Sequence, residues 1–517
     1  VGAELKPRYD VIVCGAGSSG SVIAARLAEN PDVKVLLLEA GGSDDLPAVM
    51  EASRWPANLG SERDWGFAAE PDPRLHGRSI PFSMGKVLGG GSSINLMVWS
   101  RGHRGDWDYF AAESGEPAWA YDQVLELYRQ LEDWQGTGEP DHRGRGGPVF
   151  VAPASDLHPL APAVLGAARA QGIPTYQSPN GRLMENARGA AIADLRRRNG
   201  RRESVFRTYA GPLLGRPNLT VLPHALVTRV VFHGDRAAGV EVVHEGAVHQ
   251  VAAEAEVVLS LGAIHTPKVL MQSGLGDEEE LRRVGIAVRR HLPGVGRNFQ
   301  DHFGFDCVWE FPETVHVDTQ VGATMFWDSG AADVQGPDLF ACLGPFPKAT
   351  PENAARYGLP ANSWILFGAP THPASRGRLR LSGANAADPI RIEANALSNP
   401  DDLKTAIACV ETLREIGNSA QLRPFVAREV MPGDLSGAEL DDYLRYAVTT
   451  YWHESGTAKM GRDPMAVVDG RLKVYGIENL RVADASVMPR ITSGNTMAPC
   501  VVIGERAAHF IKAEHRF

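Results

Sequence analysis

Apolar positions in the first forty residues follow two different periods. Residues 11–14 form a short unbroken apolar run, Val22, Ile23 and Leu27 recur at helical spacing, and residues 33–38 form a second apolar run, interrupted only by Lys34. Apolar runs without alternation suit strands buried on both faces, and the 3.6-residue period between them suits a helix laid over those strands. The pattern predicts strand, helix and parallel strand. Further along, residues 118–134 place Val124, Leu127, Tyr128 and Leu131 on one face and predict an amphipathic helix, and residues 160–171 predict another. NLTVLPHALVTRVVFHGDRAAGVEVV reads as strands joined by the tight turn His233-Gly234-Asp235. The block AEAEVVLSLGAIHTPKVLMQSGLG then gives a second strand–glycine–helix unit. In it Thr266 and Pro267 are expected as the cap and first turn of the helix, and Gly274 as its stop.

Between about 303 and 446 the period changes. HFGFDCVWEF, DLFACLGPF, NSWILFGA and GRLRLSG alternate as antiparallel strands do. Helices are expected at 401–416 and 438–448, the second with Ser436 and Glu439 in capping-box spacing. With 517 residues the chain exceeds one core. The expected fold class is α/β plus α+β. Residues 1–155, 204–302 and 449–517 are assigned to a discontinuous Rossmann-like dinucleotide-binding domain. Residues 156–203 and 303–448 are assigned to a substrate domain, an antiparallel sheet covered by helices.

The first strand ends in Gly15-Ala16-Gly17-Ser18-Ser19-Gly20. Gly15 permits a tight turn, Gly17 lets a diphosphate approach the backbone, and Gly20 lets the helix pack on the strand. The free N–H groups of the helix start would face that diphosphate. Glu39, closing the second strand, stands where an acid meets a ribose 2′-OH, which favours FAD or NAD over NADP. GKVLGGGSSIN at 85–95 is too rich in glycine for a helix, yet apolar residues follow it, so a buried loop passing close to a flat ligand is expected. In the tail, YWHESGT sets a histidine among turn residues. Asn495 precedes a helix in which Thr496 is the expected cap and Pro499 falls in the first turn.

Composition is that of a globular chain, 44% hydrophobic and 22% charged, and a net charge of -10 argues against nucleic acid as a partner. The densest basic run (Arg196 to Arg198, Arg201, Arg202, Arg207) is expected as a solvated loop or a set of local ion pairs. Five scattered cysteines with no CxxC or zinc spacing suit a reducing compartment and predict no metal site. Nothing before Tyr9 has the apolar core of a signal peptide and no stretch is long enough to span a membrane, so a cytoplasmic monomer or homodimer is expected.

Four segments in this order resemble the glucose–methanol–choline family of flavin-dependent alcohol oxidases and dehydrogenases. They are GAGSSG; GKVLGGGSSINLMVWSRGHRGDWD; GAIHTPKVLMQSGLG; and the tail from YWHESGTAKMG through ITSGNTMAP. The resemblance covers nearly the whole chain. It implies FAD lying along the first domain, against Gly15, Gly17, Ser18, Ser19, Gly20, Glu39 and Ala40. The central loop would add Gly85, Gly89, Gly90, Ser93, Asn95, Leu96 and Met97, and Val227 would add a further contact. The tail would supply Trp452, Asp484, Ala485, Asn495, Thr496 and Met497. Some relatives bind FAD covalently through a histidine; the matching position is Ile94, so the cofactor is expected to be non-covalent.

By the same resemblance His453 and Asn495 match the catalytic pair. An imidazole can take the hydroxyl proton of an alcohol near neutrality, and an amide can donate to the developing alkoxide without competing as a base. The similarity is strongest to bacterial enzymes acting on aromatic or furanic primary alcohols. A small aromatic or heteroaromatic alcohol is therefore the expected substrate, with Trp452, Phe340, Trp364 and Phe367 expected in its pocket. The electron acceptor is O₂ in one reading and a quinone or other acceptor in a second; in a third the flavoprotein is a non-catalytic binding module.

Overall fold

A computed structural model describes residues 5–315, 320–330 and 336–517. The opening apolar run becomes strand Arg8–Cys14, inside a seven-stranded sheet. Val35–Leu38 and then Leu219–Leu222 lie parallel on one side of it. Ala247–Leu259 and then Leu480–Val482 lie parallel on the other. Helix Ser18–Ala28 follows the first strand and packs on the C-terminal helix Met497–His515. The contact is close: a Cβ on Gly504 would stand 2.8 Å from the Ser19 carbonyl oxygen. The first half of Ala247–Leu259 leaves the parallel layer and pairs antiparallel with Arg236–His244. That strand forms a hairpin with Ala225–His233 through the expected turn at Gly234.

The second domain is built on an antiparallel sheet ordered Arg428–Met431, Phe303–Glu310, Ser363–Pro370, Leu339–Gly344, Ala323–Trp327 and Gly189–Ile192. Helix Pro400–Gly417 covers one face; a Cβ on Gly368 would meet Cys409 Sγ at 2.6 Å. Asp306, Phe367 and Cys342 are register partners and share the opposite face. The two domains are joined by a ribbon. Residues 300–304 and 449–455 run side by side, with Phe303 opposite Thr450 and Gln300 bridged to Ser455.

Several local expectations change. The helix expected to start at Thr266 runs Gly262–Gln272, with Pro267 inside it. Proline has no N–H, so the Ala263 carbonyl that would accept it is free and takes the Thr457 hydroxyl at 2.6 Å. Thr266 therefore does not cap; its hydroxyl donates to Asp484 Oδ2 at 2.6 Å. Neither Ser436 nor Thr496 makes a side-chain cap, and the amphipathic helix expected at 118–134 ends at Leu131, where Glu132–Trp134 becomes a strand. The hairpin Arg378–Leu381/Ile390–Glu393, expected in the second sheet, leans on helix Gly262–Gln272, where Lys268 donates to the Ala386 and Asp388 carbonyls. In the basic run, Arg207 pairs with Asp44 and Arg198 with Glu203, as ion pairs. Arg196 and Arg202 are buried instead. Arg202 donates to the Val49 and Ser92 carbonyls and to Asn95 Oδ1.

Candidate active site

A large cavity runs from the opening glycine turn to the second sheet. Gly15 has φ +98°, and a Cβ there would lie 2.3 Å from the Ser260 carbonyl oxygen, so only glycine can make this turn. A Cβ on Gly20 would lie 1.9 Å from the Gly15 carbonyl oxygen, which makes Gly20 the packing glycine. Gly17 differs: nothing lies within 4 Å of its would-be Cβ, and it opens helix Ser18–Ala28 without a side-chain cap. The helix start thus offers backbone N–H groups to an open cradle, the arrangement that binds a diphosphate. Glu39 closes the cradle. Its oxygens accept the Ala16 N–H at 3.0 Å and the Gly41 N–H at 2.9 Å, and burial pushes its carboxyl up to about 7. The loop at 85–95 touches this turn backbone to backbone, since a Cβ on Gly90 would lie 2.8 Å from Gly17 Cα. These features fit a dinucleotide.

Of the residues expected to hold the cofactor, Gly20, Gly89, Ser93 and Met97 do not line the cavity; the others do, Val227 included. Gly20 packs the helix start against the turn, and the other three shape the loop behind the cavity. Gly89 has φ +91°, the Ser93 hydroxyl donates to the Leu88 carbonyl at 2.6 Å, and the Met97 N–H donates to Asn95 Oδ1 at 2.9 Å.

His453 and Asn495 meet at the cavity, with Asn495 Nδ2 3.1 Å from His453 Nε2. Behind them stands a residue that no sequence motif singled out. His302 Nδ1 lies 2.8 Å from His453 Nδ1, and His302 Nε2 lies 2.9 Å from the Thr371 carbonyl oxygen. A carbonyl can only accept, so the proton of neutral His302 sits on Nε2 and its Nδ1 is an acceptor. His453 then donates its Nδ1–H to His302 and turns the lone pair of Nε2 toward Asn495. Burial lowers His302 to about 3; burial and then His302 hold His453 well below the usual imidazole range. Both rings are therefore neutral at neutral pH. The His453 N–H donates to Asp301 Oδ1 at 2.9 Å, and Asp301 also accepts the Thr450 hydroxyl. Burial raises the Asp301 carboxyl, and burial and Asp301 together raise that of Glu454. The loop carrying Asn495 is held by Asp106, whose Oδ2 accepts the Ser493 N–H at 2.7 Å and whose Oδ1 lies 2.7 Å from His372 Nε2. Burial opposes charge on Asp106, but His372 and Arg490 hold its carboxyl well below the usual range.

The aromatic residues separate by sheet parity. Phe367 and Trp452 line the cavity. Trp364 does not: an odd number of positions from Phe367 along a strand, it faces helix Pro400–Gly417, where its ring stacks on Trp309 at 4.6 Å and its Nε1 donates to the Phe425 carbonyl. Phe340 stands one layer back, 4.8 Å from both His302 and Tyr451. The wall holds residues the sequence reading missed, namely Tyr451, Trp65, Phe67, His265, Glu454 and Lys348. Tyr451 adjoins the motif that carries His453 and was within reach of it; Lys348 had no local signal.

A family profile described as GMC oxidoreductase, for the N-terminal region, matches residues 9–304, and its C-terminal counterpart matches residues 373–504. The chain belongs to the GMC oxidoreductase family. It is similar to human mitochondrial choline dehydrogenase, 36% identical over 558 residues that cover 99% of this chain and 91% of that protein. It is also similar to the oxygen-dependent choline dehydrogenase of Brucella anthropi, 35% identical over 97% of this chain and 95% of that protein. Among solved structures, pyridoxine 4-oxidase from Mesorbium loti aligns with a TM-score of 0.91 at 31% identity, covering 98% of this chain and 99% of that one. As a GMC oxidoreductase the protein binds FAD and carries out FAD-dependent oxidation of a CH–OH group. Among the described residues no helix is long and apolar enough to cross a membrane.

Proposed function

We propose that this GMC oxidoreductase oxidises a small, uncharged aromatic or heteroaromatic primary alcohol to its aldehyde and reduces O₂ to H₂O₂. The observation that carries the reading is the chain Thr371–His302–His453–Asn495, which leaves an unprotonated Nε2 facing a cavity walled by Tyr451, Trp452 and Phe367. FAD held at this cradle would supply the hydride acceptor for the carbinol carbon. His453 Nε2 takes the hydroxyl proton, and Asn495 Nδ2 donates to the oxygen as charge develops. The cofactor is non-covalent in this reading: Ile94 lines the cavity and offers no nucleophile, so acid precipitation should leave the flavin in the supernatant, and a yellow pellet would refute it. The pyridoxine named for one similar structure is a heteroaromatic alcohol, which supports the substrate class. All five cysteines are free and buried, in keeping with a cytoplasmic setting.

The names of the choline dehydrogenases favour a second reading, a cationic substrate, and a quinone or other non-oxygen acceptor is the alternative to O₂. An alcohol panel run with and without O₂, reading peroxide and flavin bleaching separately, distinguishes the two. In the same assay His453→Ala should keep its FAD and slow flavin reduction by about 10²–10⁴, the worth of a positioned general base. Reduction at the parent rate would overturn the assignment.

A further inference from the structure

We infer that the cavity wall beyond Phe367 reads a neutral hydrogen-bond acceptor on the far end of the alcohol, through the ammonium of Lys348. The inference rests on the proposed alcohol oxidation and adds the chemistry that selects among such alcohols. Tyr451 stacks on His453 with ring centroids 5.5 Å apart, Phe367 stacks on Tyr451 at 3.9 Å, and Lys348 Nζ sits 3.5 Å from the Phe367 centroid. One continuous aromatic wall therefore leads from the base to a cation. An alcohol with its hydroxymethyl group at His453 and its ring along this wall points its opposite end toward Lys348.

The ammonium is held from behind. Its Nζ lies 2.9 Å from each Asp306 oxygen, and Asp306, opposite Phe367 in the sheet, is only 3% exposed. Lys348 lines the cavity and Asp306 does not. What a ligand meets is the cation. An ammonium has three N–H donors, of which the two carboxylate oxygens take two, leaving one for a guest. Because Asp306 already balances the charge, the guest that fits is a neutral acceptor such as a carbonyl oxygen, an ether oxygen or a ring nitrogen. A trimethylammonium group has no acceptor and would bring like charge against Lys348, so this wall disfavours it.

Three para-substituted benzyl alcohols of similar bulk test the inference on the holoenzyme: 4-acetyl, 4-isopropyl and 4-(trimethylammonio). Comparing ratios between parent and variant cancels the electronic effect of each substituent on hydride loss. In Lys348→Met the acetyl-to-isopropyl ratio of kcat/KM should fall about 10- to 100-fold, the worth of a hydrogen bond from a charged donor. The trimethylammonio-to-isopropyl ratio should rise. Lys348→Met leaves Asp306 buried and unpaired, so the double variant Lys348→Met/Asp306→Asn, which removes both charges, is measured beside it and should show the same two shifts. Unchanged ratios in either folded variant overturn the inference. So does a parent enzyme that takes the trimethylammonio alcohol as readily as the isopropyl one, whatever the variants do. Benzyl alcohol itself is the control: if it fails to bleach the parent flavin, the functional reading falls and the inference with it.

Discussion

Replacing His302 separates the positioning of the base from the base itself. His302 accepts the Nδ1–H of His453 at 2.8 Å and does not line the cavity, so His302→Leu removes an acceptor at comparable bulk without touching cofactor or substrate. In that variant the tautomer with its proton on Nδ1 leaves a buried donor unpaired, at a cost of about 1–3 kcal/mol. The other tautomer puts the proton on Nε2, facing the cavity, and cannot take a proton from the alcohol. At about 1.4 kcal/mol per tenfold, the competent tautomer becomes scarcer by about 5- to 150-fold, and flavin reduction slows by that factor. Anaerobic stopped-flow bleaching at saturating alcohol measures the rate, and the flavin-to-protein ratio checks that FAD is retained. His302→Gln, whose amide oxygen can accept the same hydrogen, should recover part of the loss. A His302→Leu enzyme that is reduced at the parent rate, or a Gln variant no better than Leu, would refute the tautomer argument and leave His302 as packing against Phe340.

Trp364→Ala should cost about 3–5 kcal/mol in urea unfolding, the usual loss for a large buried aromatic, and leave KM unchanged in the folded fraction, whereas Phe367→Ala should raise KM; a Trp364 variant with altered specificity would contradict its place on the helix face. The folded pKa values of His302 and His453 lie below the unfolded value of about 6.5, so the stability from keeping both rings neutral is present above that pH. It is lost as pH falls from there toward about 3, the folded value of His302, so Tm should decline across that window and His302→Leu should flatten the decline.

The opening unit was legible because its chemistry is local: turn glycines, helix start and acid all lie within one βαβ stretch. The two-domain plan followed from the change of period near residue 303. The pocket was less legible, because alternation within a strand says which residues share a face but not which face meets the ligand. Phe367 and Trp364 look alike in NSWILFGA, and only the register against Asp306 and Trp309 separates them. His302 was illegible for another reason: its partner lies 151 positions away, and nothing in GRNFQDHFG shows which group its ring will meet. The misplaced helix start at Thr266 reflects a proline that a tertiary contact accommodates inside the helix, which a rule about first turns cannot anticipate.

The ribbon joining the domains also restricts how substrate can reach the flavin. His302 and His453 sit on its two strands, which are tied at the Gln300 and Ser455 amides by hydrogen bonds of 3.0 and 2.9 Å and again where the Tyr451 N–H meets the His302 carbonyl. A hinge in this ribbon would have to bend both strands together, against these ties, at the segment that carries the two imidazoles. Small-angle scattering should accordingly show the same radius of gyration with and without alcohol, and an expansion in either state would contradict this. Admission is then left to side chains and loops at the rim, while His302 and His453 stay paired throughout.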